Sequence, residues 1–243
     1  MTKDTRLLLS SQNKNSHFYY KKAPPHRGAF LFHLPSMNTF TYLALGDSYT
    51  IGEAVAADQS FPAQLASKLE AGNNRSCKKL KIIAKTGWTT DELQKGIQSA
   101  KPASSFELVT LLIGVNNQYR SYAQEQYKKE FTELLKQAIS FASGKKENVI
   151  VVTIPDYGCT PFGAEMADKI YADLIWYNET ATNIARNSGI EVVDIFPISR
   201  RAKSEPELIA SDKLHPSAEM YTLWADAILP VAERILADGI PAE

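Results

Sequence analysis

Cysteine, histidine and net charge are all in short supply in this 243-residue chain. The two cysteines, Cys77 and Cys159, stand 82 residues apart and outside any Cys-x-x-Cys or Cys/His spacing. Nothing in that pattern supports a zinc site or a disulfide scaffold, and no metal or cofactor is expected. The 27 Lys and Arg are balanced by 27 Asp and Glu, so nucleic acid is not the expected partner, because binding it calls for a basic face. No apolar run approaches the roughly 18 residues of a membrane span. Near the N-terminus, "LLLS" and "AFLFHL" fall short of, or barely touch, the roughly 7–15-residue apolar core of a secretory signal, so a cytoplasmic chain is expected. No strand-like run leads into GxGxxG or GxxxxGK[ST], the loops that cradle phosphates.

The zero net charge hides an asymmetry. Residues 1–38 carry six Lys and Arg against the single acid Asp4 (+5), leaving 21 basic against 26 acidic residues in the rest (−5). This first stretch mixes Lys, Asn, Ser, His and Pro without period and includes "KKAPPHRG". It reads as a poorly ordered basic extension, with one folded domain over 39–243. From Thr41 onward, short apolar runs alternate with helical patterns. The runs are "TYLAL" (41–45), "LKIIA" (80–84), "ELVTLLIG" (107–114), "NVIVVTI" (148–154) and "IEVVDIF" (190–196). Their length, and their lack of alternation, suit strands buried on both faces. Five amphipathic segments follow them, with Thr90 and Ser217 expected near helix starts and Gly189 at a helix end. Five strands alternating with five helices predict a doubly wound α/β domain around a parallel sheet.

In such a sheet, ligands bind beyond the carboxyl ends of the strands, near the point where strand order reverses. The first strand ends in Gly46-Asp47-Ser48 and the second leads to Gly87-Trp88. The third leads to Gly114-Val115-Asn116-Asn117 and the fourth to Pro155-Asp156-Tyr157. A serine hydroxyl attacks only when a base removes its proton, and that base is usually a histidine oriented by a carboxylate. Three of the four histidines (His17, His26, His33) fall in the extension, leaving His215 in "SDKLHPS" with Asp212 three residues before it. Pro216 would stiffen the turn and lead into the last helix. Donors for a developing oxyanion are available from Ser48 N–H, Gly87 N–H and the Asn116 amide. Each block alone has an ordinary alternative: Gly-Asp-Ser is common turn chemistry, with Asp47 as a capping carboxylate. Four blocks in order, each at a strand end, are much harder to attribute to chance.

Together these blocks resemble the GDSL, or SGNH, hydrolases. "LALGDSYTIG" matches the nucleophile block, Gly87 in "AKTGWTT" the second, Asn116 in "LLIGVNNQY" the third, and Asp212 and His215 in "DKLHPS" the last. The resemblance covers about residues 41–237. It implies a flavodoxin-like three-layer α/β/α fold and metal-free ester hydrolysis through an acyl-enzyme. In that scheme Ser48 is nucleophile, His215 base and Asp212 its orienting acid, and Ser48, Gly87 and Asn116 form the oxyanion hole. Two positions depart from the family pattern: Tyr49 replaces the Leu of the family's name, and Asn117 stands where many members carry Asp. The Gly-x-Ser-x-Gly elbow of the α/β-hydrolases is absent. Trp88, Tyr119, Tyr157 and Phe162 follow strands and are candidates to line an acyl or sugar pocket. "PDYGCTPFG" (155–163) is the candidate specificity loop. The expected substrate is a small-molecule or sugar-borne ester; oligomeric state does not follow from the sequence. The competing expectation is a binding module on the same fold that holds an acylated or sugar ligand without turnover.

Overall fold

The structure, a computed structural model, describes residues 38–72 and 75–238. Residues 1–37, which contain nearly all of the expected extension, lie outside the described residues. Five parallel strands form one sheet in the order β2-β1-β3-β4-β5. They are β1 (Asn38–Gly46), β2 (Arg75–Ala84), β3 (Leu108–Leu112), β4 (Val149–Val152) and β5 (Glu191–Val193). All five apolar runs become strands. β3 and β4 are buried along their whole length, as is β1 from Leu43 to Gly46. β2 is different: it is an edge strand whose Lys78, Lys79 and Lys81 keep it partly in water. Charge along an edge discourages pairing with another chain.

Among the described residues, five long helices cover the sheet: α2 (Phe61–Gly72), α3 (Thr90–Ala100), α5 (Gln124–Phe141), α6 (Ala167–Asn187) and α8 (Ala218–Asp238). α2 packs on α8, whereas α3 packs on α5 and α5 on α6, which gives three α/β/α layers. Each helix turns an apolar stripe to the sheet. In α5 the buried residues are Tyr127, Phe131, Leu134, Leu135 and Ala138, the spacing of one helix face. α3 starts one residue earlier than expected. Thr89, not Thr90, is its N-cap and donates its N–H to Glu92 at 3.0 Å, while Thr90 N–H turns to the Asn117 side chain at 3.1 Å. Ser217 does cap α8, accepting Met220 N–H at 3.3 Å, and Gly189 takes the left-handed φ of +71° after α6.

Three short helices among the described residues were not legible in the pattern: α1 (Ser48–Ile51), α4 (Val115–Tyr119) and α7 (Phe196–Ser199). α1 follows β1 and α4 follows β3. These two strands are adjacent, and their ends meet in register, Leu45 beside Leu111 and Gly46 beside Leu112. Successive crossovers leave this point in opposite directions, so a crevice opens between α1 and α4.

Candidate functional site

The carboxyl end of β1 is a capped turn. Asp47 is the N-cap of α1; its carbonyl accepts Thr50 N–H at 3.0 Å and its side chain accepts Tyr49 N–H at 3.1 Å. Gly52, in the left-handed region at φ +78°, closes the helix after one turn. Ser48 is therefore the first residue of a helix held rigidly at the sheet end. It is buried except for the face it presents to a cavity of about 250 Å³. Asp47 lies wholly inside the protein, and burial pushes its carboxyl up to about 7, against the opposing effect of the Tyr49 N–H bond.

His215 reaches the same cavity from the loop before α8. That loop is pinned to its neighbour, with Ala210 N–H on the His215 carbonyl at 2.8 Å and Ser217 N–H on Leu208 at 2.9 Å. Asp212 folds back within the turn. Its Oδ1 accepts the N–H groups of Leu214 (3.0 Å) and His215 (2.9 Å), and its Oδ2 lies 2.6 Å from His215 Nδ1. Partial burial works to raise the Asp212 carboxyl, but the His215 side chain and the two backbone N–H groups outweigh it and hold it below the usual carboxylate range. With Nδ1 engaged, Nε2 is the free ring nitrogen. Tyr49 packs edgewise on the imidazole with ring centroids 5.7 Å apart, and Trp224 backs Tyr49 at 6.0 Å. No hydrogen bond joins Ser48 Oγ to the imidazole in this structure; the two side chains share the cavity.

After β3, Asn116 brings an amide to the cavity; the Gly87 turn after β2 is not among the lining residues and joins them through Asn116. Residues Lys85 to Trp88 form a turn closed by Trp88 N–H on the Lys85 carbonyl at 3.2 Å, with Gly87 at φ +81°, a conformation that favours glycine. Asn116, in the first turn of α4, lines the cavity and donates one amide hydrogen to the Trp88 carbonyl at 3.0 Å, leaving the other free. On its other side the turn is tied to the residues after α1 by the hydrogen bond between Thr86 Oγ1 and the Glu53 carboxylate. The N–H groups of Ser48 and Gly87 donate to no acceptor among the described residues.

Apolar walls complete the cavity. Tyr119, Tyr157 and Phe162 form a triangle of rings with centroids 6.1 to 6.4 Å apart, joined by Val115 and Leu214. Tyr157 OH donates to Gln118 Oε1 at 2.8 Å, and Gln118 to Asp173 at 2.9 Å, so this ring is fixed. Trp88 does not join the other three aromatic candidates. Its indole covers Gly96 of α3, where a Cβ would stand 2.1 Å from the ring, in the groove between β2 and α3. The bare glycine on the helix face provides the slot that draws the ring there. Tyr49, Val115 and Leu214 were not anticipated as lining residues; each adjoins or lies near an anticipated one, which was the only available signal. Asn117 is buried and binds Thr90 through both amide atoms, Oδ1 to N–H at 3.1 Å and Nδ2 to Oγ1 at 2.7 Å. Its role is thus to brace the loop. Among the described residues no three His, Cys, Asp or Glu side chains gather as metal ligands, and no helix is long and apolar enough to cross a membrane.

Residues 44–223 match the family model of the GDSL-like lipases and acylhydrolases. No curated protein matches the chain in sequence. Solved structures share its fold. A G-D-S-L-family lipolytic protein from Veillonella parvula is 18% identical, with a TM-score of 0.62 over 80% of this chain and 98% of that one. A lipase/acylhydrolase from Enterococcus faecalis is 19% identical, with a TM-score of 0.60 over 84% and 99%. Phospholipase A1 from Streptomyces albidoflavus is 19% identical, with a TM-score of 0.60 over 80% and 98%.

Proposed function

The chain belongs to the GDSL-like lipase/acylhydrolase family and is a carboxylic ester hydrolase; from that premise we propose that it acts through Ser48, His215 and Asp212 by way of an acyl-enzyme. The observation that carries this reading is the 2.6 Å contact of Asp212 Oδ2 with His215 Nδ1, made by an imidazole that shares one cavity with Ser48 and Asn116.

In the first step Ser48 Oγ bonds to the ester carbonyl carbon as its proton passes to His215 Nε2. The carbonyl oxygen becomes an oxyanion, for which the N–H groups of Ser48 and Gly87 and the free amide hydrogen of Asn116 are the donors. Asp212 holds the imidazole in the Nδ1–H tautomer and stabilises the imidazolium that forms. Collapse of the intermediate breaks the bond to the alcohol oxygen, which takes the proton from His215 and leaves as the alcohol. Water then attacks the acyl-serine and gives a proton to His215; the bond to Ser48 Oγ breaks as His215 returns that proton to it, and the carboxylic acid departs.

The cavity is at the small end of ligand pockets, and no Asp, Glu, Lys or Arg side chain lines it. It suits an uncharged acyl group of modest size on a small-molecule or sugar-borne ester.

Hydrolysis of p-nitrophenyl acetate, butyrate, octanoate and palmitate by the wild type and by Ser48→Ala tests the reading. Turnover with an optimum at short or medium chains, lost in Ser48→Ala, is the expected result. Turnover that survives the substitution would remove Ser48 as nucleophile, and none with any ester would favour a binding module.

A further inference from the structure

Arg120, one helical turn beyond Asn116, reaches back to the same turn that Asn116 does. Its Nη2 donates to the Gly87 carbonyl at 2.6 Å, and its Nη1 lies 3.3 Å from both oxygens of Glu92. The two residues are coupled along α4, because Arg120 N–H donates to the Asn116 carbonyl at 3.0 Å. Consecutive carbonyls of one turn, Gly87 and Trp88, are thus held by the C-cap residue of α4 and by a side chain of its first turn.

We infer that Arg120 is a positioning residue of the oxyanion hole, fixing the Gly87 turn so that its N–H faces Ser48; this rests on the function proposed above. Gly87 has no side chain of its own to hold it, and Thr86 is anchored through its side chain only. The position of Gly87 therefore rests on the exit side of the turn, where the charge-assisted bond from Arg120 holds the Gly87–Trp88 peptide and the Asn116 bond holds the next carbonyl. Glu92 in turn holds the guanidinium, and as part of the Thr89 cap of α3 it is itself ordered. The strap therefore runs from α3 through Arg120 to Gly87. Oxyanion donors act by being in place before the charge develops, so a donor that wanders costs rate more than substrate binding.

Arg120→Ala, Arg120→Lys and Asn116→Ala, each checked for an unchanged melting temperature, are assayed on p-nitrophenyl butyrate with and without about 20 mM guanidinium, far below the denaturing range. The expected result for Arg120→Ala is a loss in kcat of about 10- to 100-fold, below the 100- to 1000-fold typical of deleting a donor outright, with KM changed less than about threefold. Arg120→Lys recovers part of the loss, since an ammonium can still reach one carbonyl. Free guanidinium raises kcat of Arg120→Ala and not of Asn116→Ala. If Arg120→Ala loses stability as well, the guanidinium response decides, because a general loss of folding is not restored by a small cation. Arg120→Ala with kcat within twofold of wild type, while Asn116→Ala is crippled, would overturn the strap and leave the oxyanion hole standing. Asn116→Ala and Ser48→Ala both as active as wild type would overturn the underlying site and the strap with it.

Discussion

Gly46 ends β1 directly beside Leu112 at the end of β3, so close that a Cβ on Gly46 would stand 2.4 Å from the Leu112 carbonyl oxygen. The same Cβ would fall 2.0 Å from Thr50 Oγ1, because α1 turns back over the strand end. A buried strand breaks on glycine here because helix and neighbouring strand both need that volume. Gly46→Ala is expected to lower stability by about 1–3 kcal/mol, the usual range for overpacking, and to displace Ser48 two residues on. Urea unfolding together with esterase assay checks both; an unchanged midpoint would mean that α1 can move aside without cost.

Asp47 supplies a pH dependence. Its carboxyl is pushed up to about 7 by burial, and its Oδ2 finds no partner among the described residues. The ordinary value is about 3.9, so the folded state binds the proton more tightly than the unfolded chain. The stability that comes from this group is therefore fully present below about pH 4 and is lost as pH rises to about 7. Asp47→Asn, which cannot ionise, should flatten that part of the curve. Melting temperatures of both proteins from pH 4.5 to 7.5 make the comparison, and parallel curves would show that Asp47 is already ionised when buried.

For the proposed mechanism, His215→Ala and Ser48→Ala should each reduce kcat on the order of 10⁶-fold, and Asp212→Asn about a hundredfold less severely. The low Asp212 carboxyl keeps the orienting charge well into the acid range, so acid-side loss of activity should not track its titration. Combining His215→Ala with Ser48→Ala should add almost nothing to either alone. Additive losses in the double variant would show that the two do not act as one unit.

The aromatic wall should set acyl preference. Tyr119 and Phe162 are 58% and 51% exposed, so their rings have faces free to receive a substrate chain. Burying one methylene is worth about 0.8 kcal/mol, or about fourfold in kcat/KM. Phe162→Ala should reduce the gain per methylene between butyrate and octanoate while sparing acetate. An equal fall for all three esters would place Phe162 in support of the loop and not in contact with the chain.

The strands, the five long helices and the order of the four site blocks were determined by the sequence alone. Apolar runs, cap residues and turn glycines act over a few residues, and the parallel α/β arrangement follows from their alternation. Asp212 and His215 were legible for the same reason, since their contact spans three residues of one turn. What only the tertiary structure decided are relations between segments far apart in the chain. Trp88 left the expected pocket because Gly96 opened a slot for it on α3. Asp47 became a raised acid because the sheet end closes over it, and a capping residue does not announce its burial. α4, with five residues, is too short to show a helical period, so nothing local placed Arg120 over Gly87, 33 residues earlier in the chain. That contact exists because β1 lies between β2 and β3, and their ends bring the two loops together around Ser48.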